Sequence, residues 1–161
     1  MKKTQIITTV IEYDSVNELS QQDQLLVKNA KETALNSYAP YSKFNVGAAV
    51  QLNNGEIIQG NNQENSAYPS GLCAERVAIF YANAKFPNVP VQAIAITART
   101  NGSFLETPVP PCGSCRQVLL ETEARYKQPI KVILCGEKKI KIVESIRELL
   151  PIFFDKEMLD E

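Results

Sequence analysis

Ile130-Lys-Val-Ile-Leu-Cys-Gly-Glu-Lys-Lys-Ile-Lys-Ile-Val143 holds two apolar runs, Ile130 to Cys135 and Ile140 to Val143, with only Gly136-Glu-Lys-Lys139 between them. A crossover between parallel strands needs on the order of a dozen residues, so these two strands must pair antiparallel. Upstream, Val91 to Thr97 is nearly all apolar, as a central strand buried on both faces requires. Phe44 to Leu52 and Ile57 to Gly60 read as a further pair of strands, and Asn53-Asn-Gly-Glu56 between them carries the Asn-Gly signal of a two-residue hairpin. Helices fill the gaps. Ser20-Gln-Gln-Asp23 resembles a capping box, and Leu26, Ala30 and Ala34 follow at helical spacing, so a first helix runs to about Ser37. A second spans Leu72 to Lys85, with Val77, Phe80, Tyr81 and Ala84 as its packed side. Pro110-Pro-Cys-Gly-Ser-Cys115 opens a third that reaches about Ala124, since proline is tolerated where a helix begins. A short helix from Ser145 to Leu150 stops at Pro151. The order α-β-β-α-β-α-β-β-α predicts an α/β chain with a five-stranded mixed sheet, helices on both faces and the last two strands antiparallel.

At 161 residues and 44% hydrophobic, the chain is long enough for one core, and no repeat or linker divides it. Seventeen basic residues against eighteen acidic ones lack the positive excess that draws proteins onto nucleic acid or anionic membranes, so a small-molecule substrate is expected. The first residues are too short and too interrupted by Gln and Thr for a signal segment, which makes a soluble, cytoplasmic chain the expectation.

There is no histidine, which excludes a Ser-His-Asp triad, a Cys-His pair and any imidazole ligand. Four cysteines in a chain that needs no disulfide staples point to thiols used as ligands. Cys73-Ala-Glu75 stands at the start of the second helix and Cys112-Gly-Ser-Cys115 at the start of the third. A helix N-terminus favours thiolate over thiol, and Cys112 and Cys115 share one helical face. With Cys73 they make a three-thiolate zinc site whose fourth position is left to water, which distinguishes a catalytic zinc from a structural one. Glu75 is the expected proton carrier, provided the metal sits off the helix end. Arg76, one turn after Cys73, can hydrogen-bond a ligand sulfur and offset the negative charge. Cys135, at the end of an apolar strand, reads as a buried hydrophobe. Lys138, Lys139 and Lys141 read as a solvated turn and strand face rather than a nucleic-acid patch.

Cys73-Ala-Glu75 and Pro111-Cys-Gly-Ser-Cys115 together form the cysteine-ligand version of the zinc-deaminase signature. Around it, Tyr38-Ala-Pro-Tyr-Ser-Lys-Phe-Asn-Val-Gly-Ala-Ala49, Gly60-Asn-Asn-Gln-Glu-Asn65, Tyr68-Pro69, Cys73-Ala-Glu-Arg76, Pro111-Cys-Gly-Ser-Cys-Arg-Gln117 and Leu149-Leu-Pro151 resemble, in order, the small cytidine deaminases. The resemblance spans roughly residues 20 to 159. It implies the three-layer α/β/α fold of that family and a zinc-dependent hydrolysis of cytidine and deoxycytidine to uridine and deoxyuridine plus ammonia, a pyrimidine-salvage reaction. It also implies one Zn2+ per subunit held by Cys73, Cys112 and Cys115, with Glu75 moving protons to N3 and to the departing amine. Asn62 and Glu64 would hold the ribose 3′-hydroxyl, and Phe44 would line the nucleoside pocket. A C-terminal phenylalanine, Phe154 in the better match and Phe153 otherwise, would stack on the base in a neighbouring subunit's site, so the family pattern implies a homotetramer with shared sites. Against it, residues 1–18 form an N-terminal extension and residues 19–161 a single domain.

Three other functions stand beside this one. Deamination of a polynucleotide fits the signature but not the near-neutral charge or the antiparallel final pair. A non-catalytic zinc module leaves Glu75 without a purpose. Deamination of a cytosine-containing antibiotic stays open.

Overall fold

The computed structural model describes residues 1–159, so the last two residues of the 19–161 domain lie outside the described residues. Along the chain run β1 (Ile11–Tyr13), α1 (Gln21–Ala34), β2 (Phe44–Leu52), β3 (Ile57–Asn61), α2 (Ala74–Lys85), β4 (Val91–Thr100), β5 (Ser103–Phe104), α3 (Gly113–Tyr126), β6 (Lys131–Cys135) and β7 (Ile140–Val143). The short helix expected at Ser145 to Leu150 is a single 3-10 turn, Ile146–Leu149, capped by the Ser145 hydroxyl.

All five expected strands are present, but the sheet has seven, in the order β1-β7-β6-β4-β2-β3 with β5 attached to β4. The two additions are short edge pieces of three and two residues, too brief to show a period-2 pattern in the sequence. β6 and β7 pair antiparallel, Val132 opposite Val143 and Cys135 opposite Ile140. β4 and β6 pair parallel because α3 provides the crossover.

α1 covers one face of the sheet, over Ala49, Ala93, Ala95, Ile133, Ile140 and Ile142, while α2 and α3 cover the other, over Ala48, Val50, Ile94, Ile96, Val132 and Leu134. Ser20 caps α1 by accepting from the Asp23 N–H, as the sequence indicated. Cys135 is buried in the α1-side core, its thiol donating to the Gly136 carbonyl at 3.4 Å.

The packed face of α2 is not the expected one. Ala74, Glu75, Ala78, Ile79 and Ala82 are buried, whereas Phe80 and Tyr81 are 47% and 54% exposed. The reason lies in β3: a Cβ on Gly60 would stand 2.5 Å from the Ala78 nitrogen and 2.6 Å from the Ala74 carbonyl oxygen. At that separation only alanine-sized side chains fit over Gly60, so Ala74 and Ala78 face the sheet there while Phe80 and Tyr81 are turned outward.

The β2–β3 hairpin also differs from the two-residue form. Gly55 N–H donates to Leu52 O and Leu52 N–H to Glu56 O, and within Asn53–Gly55 only Gly55 has a positive φ, +88°. This is a three-residue loop, with Asn53 tied outward through Pro90 O and the Gln128 amide. The two-residue turn falls instead at Asn101-Gly102, between paired Thr100 and Ser103, where both φ values are positive, 50° and 84°.

Candidate active site

Cys73 is the N-cap of α2 and Cys112 the N-cap of α3, both with extended backbone and neither making a side-chain cap hydrogen bond. Cys115 falls in the first turn of α3 and Glu75 in the first turn of α2. Two helix N-termini therefore point their unpaired N–H groups and positive dipole ends at one cluster. The Cys73 and Cys112 sulfurs are 3.9 Å apart, and those of Cys112 and Cys115 3.5 Å. All three sulfurs lie within 4.8 Å of one another.

Thiolates bound at about 2.3 Å to one tetrahedral zinc sit about 3.8 Å from each other, so these separations fit a shared metal. They are far beyond the roughly 2 Å of a disulfide. The hydrogen bond with Cys115 holds the Cys73 thiol down at about 5, helped by Arg76 and Cys112. The same bond raises the Cys115 thiol, with burial and the Glu75 carboxylate adding to it. Arg76 Nη2 lies 3.9 Å from Cys73 Sγ and 3.5 Å from the Gly71 carbonyl oxygen.

Beside the cysteines opens a cavity of about 810 Å³ whose wall includes Phe44, Asn62, Glu64, Cys73, Glu75, Arg76 and Cys112. That volume falls within the range of about 300–1,000 Å³ usual for small-molecule sites. Glu75 is only 4% exposed, and burial pushes its carboxyl upward, the Cys73 charge adding to the effect. Glu64 accepts from the Tyr41 N–H at 2.9 Å, the Ser42 N–H at 3.3 Å and the Ser42 hydroxyl, and the Ser42 hydroxyl bond holds it below the usual carboxylate range. Asn62 accepts from Val46 N–H at 2.8 Å and donates to Phe44 O at 2.9 Å, so it pins the strand that presents Phe44. One lone pair and one N–H of its amide remain for a ligand.

Phe154 stands apart. It is 57% exposed and does not line the cavity, whereas Phe153 packs against the core with Arg147 4.7 Å from its ring centre. Sequence reasoning gave no role to Tyr41 and Tyr68, whose rings meet edge to face at 6.1 Å on the cavity wall, nor to Leu72, Val109 and Pro110. The aromatics carried a signal, each lying beside a proline in a turn-rich stretch; the aliphatic wall carried none.

The family described as "Cytidine and deoxycytidylate deaminase zinc-binding region" matches residues 20–128. A cytidine deaminase of Halalkalibacterium halodurans is 40% identical over 86% of this chain and 98% of its own length. One of Sporosarcina psychrophila is 40% identical over 83% of this chain and 92% of its own. Among solved structures, a cytidine deaminase of Burkholderia pseudomallei superimposes with a TM-score of 0.71 at 37% identity, covering 84% of this chain and all of that one.

Proposed function

The chain belongs to the cytidine and deoxycytidylate deaminase family, and on that premise we propose that it hydrolyses cytidine and deoxycytidine to uridine and deoxyuridine with release of ammonia, as a zinc enzyme of pyrimidine salvage. The observation that carries this is the three-sulfur cluster facing the cavity beside a buried glutamate.

Cys73, Cys112 and Cys115 hold the ion, and what zinc supplies with three protein ligands is the acidification of a water molecule toward neutral pH. The proton work falls to Glu75. It takes a proton from water as the oxygen adds to C4 of the cytosine and gives it to N3; it then takes the remaining proton from the new C4 hydroxyl and passes it to the amine, which leaves as ammonia as the C4–N bond breaks and the C4 carbonyl forms. Its buried, raised carboxyl is matched to both accepting and donating. Arg76 offsets part of the thiolate charge, which otherwise disfavours a second anion at the site. Phe44 presents an aromatic face to the nucleoside, while Asn62 and Glu64 hold the ribose hydroxyl. Leu72, Val109 and Pro110 keep bulk water from the reacting ring.

The family name covers nucleosides and nucleotides, and the wall of the cavity favours the nucleoside. Arg76 is the one cation lining it among the described residues, and it is turned to Cys73; Glu64 is a carboxylate that repels a phosphate. We further propose a homotetramer with shared sites, supported by the outward apolar side of α2 and by Phe154, which is exposed and does not line its own chain's cavity. We propose a cytoplasmic location as well, supported by the free thiols of Cys73, Cys112 and Cys115, which persist in a reducing compartment.

The ultraviolet change on adding cytidine, deoxycytidine and deoxycytidine 5′-phosphate to zinc-loaded protein tests the substrate class. Both nucleosides should be converted and the phosphate ester should not. Turnover confined to the phosphate ester would overturn the assignment.

A further inference from the structure

The three cysteines are not equally well held. Cys115 is fully buried, and Cys73 is half-buried against Arg76, but Cys112 is exposed and followed by Gly113, around which a Cβ would meet nothing within 4 Å. Packing alone does not fix the Cys112 sulfur. The peptide entering Cys112 is fixed instead by one side chain from the first turn of α3. Arg116 Nε donates to the Pro111 carbonyl at 2.9 Å. Its Nη1 donates to the Leu149 carbonyl at 2.8 Å. One planar guanidinium thus joins the carbonyl just before a metal-ligand residue to the last residue of the 3-10 turn, a reach that no single-headed donor covers.

We propose that Arg116 is a positioning residue for the metal site, acting through the Pro111–Cys112 peptide to hold the Cys112 sulfur in ligating position against an anchor at Leu149. The neighbouring Gln117 provides an internal control. Its amide donates to the Phe154 carbonyl at 2.8 Å, so it ties the same helix turn to the C-terminal segment without touching the Pro111–Cys112 peptide. This inference rests on the reading of Cys73, Cys112 and Cys115 as a zinc site.

The test is zinc affinity by competition with a chromophoric chelator, in full-length wild type, Arg116→Gln, Arg116→Lys and Gln117→Ala, together with the thiolate-to-cobalt charge-transfer band of each cobalt-loaded protein. Partners that orient a ligand typically account for about 10- to 100-fold in metal affinity. Arg116→Gln should lose that much and show a weaker charge-transfer band. Arg116→Lys, keeping the charge but reaching only one carbonyl, should fall between it and wild type, and Gln117→Ala should match wild type. Urea unfolding of the metal-free proteins separates positioning from support. A lowered midpoint in Arg116→Gln with unchanged affinity and band would overturn the proposal, as would an equal affinity loss in Gln117→Ala. A wild type that binds no zinc would sink the site reading; a wild type that binds zinc with Arg116→Gln unaltered would sink this proposal alone.

Discussion

Glu75 illustrates what a single residue contributes here. It is buried and beside the cysteine cluster, yet it is not one of the three sulfurs that can share an ion. Glu75→Gln should therefore keep its zinc while turnover of cytidine falls about 10²- to 10⁴-fold, the usual share of a positioned acid-base group. Metal content and steady-state turnover on one sample check both halves, and robust turnover would remove Glu75 from the mechanism. Cys135 gives the opposite case. It is buried in the α1-side core, outside the cluster, so Cys135→Ser should retain one zinc per chain and wild-type turnover. Loss of the metal in that variant would mean that the site draws on a fourth sulfur. The clustering of Cys73, Cys112 and Cys115 was legible in the sequence because spacing, helix starts and the adjacent glutamate agree. The holding of Cys112 by Arg116 was not, because a bond from Arg116 to Leu149 depends on where two distant segments meet.

At the scale of elements, the pattern gave the strands and the helix starts but misread one helix face. Val77, Phe80, Tyr81 and Ala84 have helical spacing, yet over Gly60 the sheet approaches α2 so closely that Ala74 and Ala78 face it instead. Hydrophobicity ranks residues by size, and a close helix–sheet contact selects the small ones. Gly60→Ala should accordingly lower the unfolding free energy by about 1–3 kcal/mol, the usual cost of overpacking a tight contact, with urea denaturation as the measurement. A neutral effect would mean that α2 can shift without loss. The two Asn-Gly pairs teach a related lesson. Asn101-Gly102 follows the local rule and forms the two-residue turn, while Asn54-Gly55 does not, since Asn53 is held from outside by Pro90 and Gln128.

For the whole molecule, the N-terminal segment lies ahead of the family match, which begins at residue 20. Ile11–Tyr13 pairs with β7 at the end of the sheet, Glu12 bridges to Lys141 at 2.9 Å, and Thr9 N–H donates to Glu148 at 3.1 Å. None of these residues lines the cavity. If residues 19–161 form the catalytic unit, as we propose, deleting residues 2–13 should cost about 1–3 kcal/mol of stability in urea and leave turnover unchanged. A loss of turnover in a folded truncated protein would extend the unit to the N-terminus. The three-residue edge strand was invisible to periodicity, and its partner is set by where β7 ends the sheet rather than by anything in its own residues.

We propose that three cysteines hold one zinc ion and that cytidine is deaminated there. The most direct measurement is ammonia release from cytidine by the purified chain before metal removal, after a chelator has stripped it, and during stepwise return of zinc. The predicted result is loss of turnover on stripping and full recovery at one zinc per chain. Undiminished turnover from metal-free protein, or a zinc-loaded chain that releases no ammonia, would contradict it.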